Sequence, residues 1–335
     1  MNVALVTAIG SFAADIVIKS LQKQNLRVVG TDIYQKEWIV DAYHVDSFYQ
    51  VPLASEKEAY LDALHAICEK EQVNYILPLT DVEIDVLNAN RKWFVNRGIL
   101  LCISPEKVIS VCRDKLATAR FLSQSPAKDM VIPFLSNLES NRIPDSWFPV
   151  ICKPINGRSS QGILRFSSGN EIGNFFQTVK EQYVIQPIIQ GSVVTADLCR
   201  TADGSRCVVC SRLELLRTSN GAGTSVRIFH DPELERKCIL IAEALGVIGC
   251  VNFEFIQSTD GAYYFIECNP RFSGGVEFSC MTGYDFVRNH LRCFLGELID
   301  ASVPQEDCYI ARKYEEYITS RLAPVNQPQS IGGML

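Results

Sequence analysis

The segment from Val251 to Phe272 reads VNFEFIQSTDGAYYFIECNPRF. Two runs rich in β-branched and aromatic residues flank the sequence STDG at 258–261, and this pattern predicts a β-hairpin. Asp260-Gly261 is typical of a two-residue hairpin turn, so it sets which residues of the two strands face each other. We therefore predict an antiparallel strand pair whose register can be read from the sequence.

In this register, Glu254 lies opposite Glu267, and Asn252 lies opposite Asn269. All four side chains project from one face, because side chains alternate along a strand. Two carboxylates in direct opposition repel each other, which favours a bound cation between them. Carboxylate and amide oxygens suit Mg²⁺ that is also held by phosphate oxygens. A solvent-facing surface that happens to carry two acids is the alternative interpretation.

A cation follows these residues along the chain. Arg271 lies just beyond Asn269, and Pro270 between them predicts that the strand ends there. A guanidinium beside a metal site is typical of a phosphate-binding group. The hairpin therefore predicts a metal site and a phosphate site next to each other.

The run ECNPR at 267–271, together with Glu254, resembles the metal-binding signature of ATP-grasp ligases. It is most similar to the branch that contains the carbamoyl-phosphate synthase large subunit and related carboxylate–amine ligases. The resemblance implies that Glu254, Glu267 and Asn269 hold two Mg²⁺ ions on ATP. It also implies that Arg271 contacts the phosphoryl group that is transferred.

A second motif surrounds Lys153, which lies among apolar residues in the predicted strand FPVICKP at 148–154. A lysine in such a strand is unfavourable unless it meets an anion. The next residues, INGRSSQG at 155–162, predict a flexible loop whose N–H groups and hydroxyls can wrap phosphate oxygens. The strand and loop together resemble the phosphate-covering lid of ATP-grasp enzymes, and an ordinary hairpin loop is the alternative.

The resemblance implies further contacts with the nucleotide. Lys115, in the first turn of a predicted helix, would contact the α-phosphate, and backbone groups at 186–189 would read the adenine. Arg212 would face the γ-phosphate or the substrate carboxylate. Family members carry an acid near Val193 to hold the ribose, and its absence here leaves the ribose contact open. The loop predicted at 219–225 would form part of the acceptor site.

These arguments give three sets of predicted site residues. The predicted catalytic residues are Arg271, Lys153 and Arg212; the predicted nucleotide-binding residues are Lys115, Lys153, Gly157, Ser159, Ser160, Gln161, Gly162, Gln186 and Ile189; and the predicted metal ligands are Glu254, Glu267 and Asn269.

Strands and helices alternate over residues 1–104, which predicts a parallel, doubly wound lobe. Its first strand is followed by Gly10, and its second ends at Asp32, as in dinucleotide-binding folds. The turn has one glycine where the dinucleotide fingerprint has three, so a structural Rossmann-like lobe is favoured. An NAD(P)-dependent oxidoreductase that uses this lobe stays open as an alternative.

The length, composition and net charge of the chain limit the classes of protein to which it can belong. The chain has 335 residues, 47% of them hydrophobic and 21% charged, with a net charge of −6 and no basic block. This charge argues against nucleic acid or an anionic membrane as a partner. The N-terminus enters a strand directly without a signal-peptide pattern, and the 13 cysteines are scattered. Reduced thiols and a cytoplasmic location are therefore expected.

We accordingly predict an α/β protein, with α+β ATP-binding lobes, that has the ATP-grasp fold behind an N-terminal Rossmann-like lobe. The predicted domains are 1–112, a lid subdomain at 113–190 and a metal- and substrate-binding subdomain at 191–325. The predicted function is ATP-dependent ligation of a small-molecule carboxylate and an amine, with amino acids as expected substrates. The expected cofactors are ATP and Mg²⁺, with Mn²⁺ as a substitute. A homodimer and a non-catalytic ATP-binding subunit stay open.

Overall fold

The computed structural model describes residues 1–157, 161–219, 221–304 and 306–321. Ser159 and Ser160, which are predicted phosphate contacts, lie outside these ranges. Within the described ranges, no helix combines the length and the apolar character that crossing a bilayer requires.

The N-terminal lobe is built on a parallel sheet, as predicted. Its strands occur in the spatial order β3-β2-β1-β4-β5, which is a doubly wound arrangement. The central strand β1 is apolar and buried along its whole length, because helices cover both faces of the sheet. The elements are β1 (Val3–Thr7), α1 (Ala14–Lys23), β2 (Arg27–Asp32), β3 (Ser47–Gln50), α2 (Lys57–Glu71), β4 (Tyr75–Leu77), α3 (Asp81–Ala89), α4 (Arg91–Val95), β5 (Leu100–Leu101) and α5 (Glu106–Cys112).

A smaller antiparallel sheet follows, in the order β6-β9-β7-β8. It has its own apolar core, in which Val150 and Cys152 of one strand pack with Tyr183 and Ile185 of another and with Ile172 of a covering helix. Its elements are α6 (Lys115–Ser123), β6 (Leu135–Ser136), β7 (Val150–Pro154), β8 (Leu164–Phe166), α7 (Gly169–Phe176) and β9 (Tyr183–Pro187).

The third sheet is antiparallel, in the order β14-β13-β10-β11-β12-β15. The segment predicted as a loop at 219–225 is shorter than expected, because β12 already begins at Gly223. The elements are β10 (Gly191–Arg200), β11 (Cys207–Arg217), β12 (Gly223–Phe229), α8 (Pro232–Leu245), β13 (Gly249–Ser258), β14 (Tyr263–Asn269), α9 (Val276–Cys280), α10 (Phe286–Leu295) and β15 (Cys308–Ala311). The domain boundaries predicted from sequence stay predictions.

The hairpin of β13 and β14 pairs its two acids and its two asparagines as predicted. Its turn is different: the Ser258 N–H donates to the Ala262 carbonyl at 2.9 Å, so the loop has three residues instead of two. A bulge at Ile266, between the paired residues Phe265 and Glu267, compensates for the longer turn. The acids therefore keep the predicted register although the predicted turn is wrong.

His290 joins the N-terminal lobe to the third sheet. Its Nδ1 accepts the Cys250 N–H at 2.7 Å, so its Nε2–H donates to the Cys102 carbonyl at 3.0 Å. Both bonds require the neutral imidazole. Burial lowers the pKa of His290 to about 4, below its ordinary value of 6.5.

This pKa predicts a specific loss of stability in acid. The unfolded chain binds a proton at His290 below about pH 6.5, whereas the folded chain resists protonation until about pH 4. The free energy of unfolding should therefore fall by about 3 kcal/mol across that window. Denaturant unfolding at a series of pH values measures the slope. His290→Gln is the control, because glutamine can make both bonds without titrating, and an equal slope in the variant contradicts the assignment.

Candidate functional site

Polar side chains from the hairpin line a cleft of about 260 Å³ between the lobes. Glu254 and Glu267 are directly paired across the two strands, and Asn252 pairs with Asn269. The Asn269 amide donates at 3.4 Å to Asn252 Oδ1 and also at 3.4 Å to Glu267 Oε1. The fold therefore places these side chains on one face, as the alternation of strand residues requires.

Each acid of the pair has a cation beside it. Lys115 Nζ lies 3.2 Å from Glu267, and Arg217 Nη2 lies 3.3 Å from Glu254. Lys115 also donates to the Gly157 carbonyl at 2.6 Å. Burial raises the pKa of the Glu254 carboxyl, and the neighbouring Glu267 raises it further, while Arg217 opposes the shift. The carboxylate oxygens of Glu254 and Glu267 are hard donors, which fit a divalent cation such as Mg²⁺.

Lys153 is a cation of a different kind. It is only 8% exposed, and within the described residues its ammonium has neither a hydrogen bond nor an ion pair. Burial lowers the pKa of Lys153, whereas the more distant carboxylates of Glu267 and Glu254 act in the opposite direction. A buried ammonium without a partner is unfavourable, so this side chain is suited to an incoming anion.

A second, apolar pocket lies beside Lys153 and Gln186. It is lined by Thr118, Leu122, Val131, Ile132, Val184, Phe265 and Ile266. Its volume of about 20 Å³ holds about one water molecule, so an aromatic base would require the two lobes to part slightly. Ile189 is not among the described residues that line this pocket.

The loop after β7 begins at the cleft. Gly157 lines the cleft, and Gln161 is exposed at the other end of the loop. Gly162 has φ +70°, and a side-chain carbon there would lie 2.8 Å from Cγ of Pro154. Both the left-handed backbone and the close approach therefore require glycine at this end.

Arg271 is held between two lobes. Its Nη2 donates at 2.9 Å to Asp81 of α3 and at 3.3 Å to Asn269 Oδ1. Its Nη1 donates to the Phe272 carbonyl at 3.1 Å. Asp81 is the first residue of α3, directly after the N-cap Thr80, and its carboxylate faces the guanidinium. Asp81 therefore orients Arg271 from the N-terminal lobe.

Arg212 lies on the floor of the same cleft but is fully engaged. It donates to Asp197 at 2.5 Å and to Glu214 at 3.0 Å, and it is 2% exposed. Ser273 and Ser279 accept further bonds from it, at 3.1 and 3.2 Å. The structure brings Arg212 close to the predicted metal ligands, and its direct contact with a substrate stays a prediction.

Gly10 and Asp32, the residues that would contact a dinucleotide, are hydrogen-bonded to each other. Asp32 accepts the Gly10 N–H at 2.8 Å through one oxygen and the Tyr34 N–H at 3.1 Å through the other. Asp32 is only 5% exposed. A ribose and a pyrophosphate would have to displace these bonds, so this geometry favours a structural role for the N-terminal lobe.

Two domain families match the sequence. Residues 5–102 match the PylC-like N-terminal domain, and residues 112–275 match the ATP-grasp domain. The chain contains an ATP-grasp domain. This confirms the resemblance and the fold that were predicted from the hairpin and from the strand that carries Lys153.

Among curated proteins, this ATP-grasp chain is similar to the large chain of carbamoyl phosphate synthase from Agathobacter rectalis, with 28% identity over 168 residues. The large chain from Xylella fastidiosa is 41% identical over 80 residues. These matches cover 45% and 22% of this chain but only 15% and 7% of the two relatives. They support the carboxylate–amine ligase branch without transferring the activity of the whole relatives.

Solved structures extend the likeness over most of the chain. N5-carboxyaminoimidazole synthetase from Staphylococcus aureus has a TM-score of 0.74 at 16% identity, covering 92% of this chain and 81% of that one. The biotin carboxylase domain of Hydrogenobacter thermophilus 2-oxoglutarate carboxylase, in complex with MgADP, ADP and bicarbonate, has 0.73 at 17%, covering 89% and 71%. An L-amino acid ligase from Bacillus licheniformis has 0.69 at 16%, covering 89% and 75%. Identities this low show a shared ATP-grasp fold alone.

Proposed function

We propose that this ATP-grasp protein is an ATP-dependent carboxylate–amine ligase that forms an amide or peptide bond and releases ADP and phosphate. The observation that carries the proposal is the convergence of an opposed acid pair with Lys115 and Arg271 on one cleft, while Lys115 and Lys153 line the apolar pocket beside it. Such a site suits a polyanion bound with a divalent cation and leaves room for a second reactant. The ATP-grasp fold of an L-amino acid ligase supports amino acids as substrates.

The residues present fit a magnesium nucleotide. Glu254, Glu267 and Asn269 would hold Mg²⁺, or Mn²⁺ in its place, which when bound neutralises the charge on the phosphates. Lys115 and Lys153 would bind the phosphates, because both are cations near the predicted metal ligands. Lys115 is partly exposed at the start of α6, whereas Lys153 is buried. The adenine would enter the apolar pocket next to Gln186.

Binding would exchange ion pairs that exist in the free protein. Lys115 and Arg217 now neutralise the two acids, at 3.2 and 3.3 Å. When Glu254 and Glu267 turn to a divalent cation, these two side chains become available for phosphate or for the substrate carboxylate.

The reaction would proceed in two steps. A substrate carboxylate oxygen attacks the γ-phosphorus, so that a new P–O bond forms, the β–γ bridge breaks, and ADP leaves. The amine nitrogen then attacks the acyl carbon, a C–N bond forms, phosphate leaves, and the nitrogen loses a proton. Lys153 and Arg271 would stabilise the developing negative charge, with Asp81 holding Arg271 in place. Arg212 is proposed to act at the floor of the cleft.

Two alternatives are less well supported. A nicotinamide-dependent oxidoreductase would need Asp32 and Gly10, and these are bonded to each other. A non-catalytic ATP-binding subunit would not need both acids, Asn269 and Arg271 around one cleft. The proposed ligase uses all of these groups.

The test is a screen of the purified full chain with amino acids in pairs, Mg²⁺ and ATP. We expect ADP, phosphate and a condensed product that appear together only when both a carboxylate and an amine donor are present. Chromatography of the nucleotides and mass spectrometry of the products measure this. Reactions with each amino acid alone are the controls. Formation of AMP and pyrophosphate would contradict the acyl-phosphate route, and NADH oxidation without ATP use would favour the oxidoreductase.

A further inference from the structure

Glu214 is a buried acid at the floor of the cleft, and only one of its carboxylate oxygens accepts a hydrogen bond from a described residue. Glu214 accepts a bond from Arg212 through Oε1, whereas its Oε2 has no hydrogen-bond partner among the described residues. Its side chain is 3% exposed. A buried carboxylate oxygen that makes no bond is unfavourable, so this atom requires an explanation.

The charges around Glu214 do not balance. The single guanidinium of Arg212 faces two carboxylates, those of Glu214 and Asp197. Both oxygens of Asp197 are in use: Oδ1 accepts from Asn252, and Oδ2 accepts from Arg212 and Ser279. The unmatched negative charge therefore lies on Glu214, at the oxygen that has no partner.

A second unpartnered oxygen lies in the same cleft. Thr195 is 2% exposed, and its Oγ1 also makes no hydrogen bond among the described residues. Thr195 lies between Arg212 on one neighbouring strand and Glu254 on the other, and both Thr195 and Glu214 line the cleft. An acid and a hydroxyl that each lack a partner within the described part of the chain thus border the predicted metal site.

Gly223 shows that the backbone packs closely on this carboxylate. A side-chain carbon at this position would lie 2.3 Å from Glu214 Oε2. Any other residue would have to displace the acid, so β12 approaches it as closely as a glycine allows. The backbone of β12 thereby holds the Glu214 carboxylate in position. This carboxylate lies at the end of the cleft that residues 221–223 line.

We propose that Glu214 and Thr195 form the subsite for the primary ammonium group of the amine substrate. An ammonium would supply the missing positive charge and would donate N–H groups to Oε2 and Oγ1. A second divalent cation fits less well, because Mg²⁺ takes six oxygen ligands and the Arg212 guanidinium lies next to the acid. The assignment rests on the proposed ligase function and names the group that its second substrate presents.

Kinetics of the full chain test the subsite with the amine found in the paired screen. Glu214→Gln keeps an oxygen for Arg212 but removes the charge that holds the ammonium. We expect the KM for the amine to rise about tenfold or more, while the KM for MgATP changes less than threefold. Glu233→Gln, at a residue with a 62% exposed side chain, is the matched control and should change neither value. A rise in the Mg²⁺ requirement with an unchanged amine KM would overturn the proposal.

A measurement on the wild-type chain does not depend on the folding of a variant or on turnover. Methylammonium chloride should raise Tm by about 2 °C at ten times its Kd, relative to sodium chloride at the same concentration. Tetramethylammonium, which has no N–H group, should not raise it. Equal effects of the two cations would overturn the subsite. Absence of ADP in the paired screen would instead overturn the ligase function, and the thermal shift would still report on the subsite.

Discussion

Replacing Glu267 by glutamine is expected to lower kcat by about a thousandfold or more while leaving the fold intact. Glutamine has nearly the same shape, but it removes one of the two charges that would hold the cation at the transferred phosphate. The effect on stability should be small, because Glu267 is attracted by Lys115 at 3.2 Å and repelled by the directly paired Glu254. Removing both interactions at once leaves the free energy of unfolding within about 1 kcal/mol of wild type.

Steady-state kinetics across a Mg²⁺ titration, together with denaturant unfolding, measure the two effects of Glu267→Gln separately. Asp260→Asn is the control on the same hairpin, because Asp260 is exposed at the turn and faces no cleft residue. The control should keep wild-type kinetics. A Glu267→Gln variant with near-normal kcat at saturating Mg²⁺ would rule out the metal assignment, and with it the interpretation of the hairpin.

The acid pair could be predicted from sequence although one step of the reasoning was wrong. The hairpin loop is one residue longer than the two-residue turn that was expected, and the extra residue Ile266 forms a bulge. The bulge lies on the turn side of Glu267, so the register is restored before the acids. A shift of one residue without a bulge would have placed Glu267 on the opposite face. The predicted pairing of the two acids is correct because the two deviations cancel.

Arg217 could not be found from alternation along its strand. It is an odd number of residues from Arg212, so a regular strand would place the two side chains on opposite faces. The pairing of β11 with β12 shifts between Glu214 and Arg217, which turns Arg217 toward Glu254. Bulges of this kind depend on the neighbouring strand and leave no clear signal in the sequence.

Contacts between lobes could not be predicted from the sequence either. Asp81 and Arg271 are 190 residues apart, and their bond exists because α3 of the parallel lobe begins where the hairpin ends. The sequence places Arg271 at the end of a strand, but it does not show that the start of α3 lies beside this end. The same limit applies to Arg212, whose role as a cleft cation was inferred without the two buried acids that neutralise it.

Replacing Lys153 by methionine is expected to weaken MgATP binding by about a hundredfold while making the free protein more stable. Lys153 is 8% exposed, and its ammonium is unpaired among the described residues. Methionine fills a similar volume without a charge, so the free energy of unfolding should rise by about 2 kcal/mol. Loss of the buried cation removes a charge-assisted bond to phosphate at a site with little water.

The pH dependence of the stability gain in Lys153→Met tests whether the buried charge of Lys153 causes it. Burial lowers the pKa of Lys153 below its ordinary value of 10.5, so between the lowered value and 10.5 the unfolded chain binds a proton that the folded chain does not. Wild-type stability at this residue therefore rises with pH through that window, and the advantage of Lys153→Met should shrink there. Denaturant unfolding at rising pH measures the difference, and calorimetric titration with a non-hydrolysable ATP analogue measures binding. Lys128→Met, at an exposed lysine, is the control for both. A variant that binds the analogue as tightly as wild type would show that Lys153 does not hold the nucleotide.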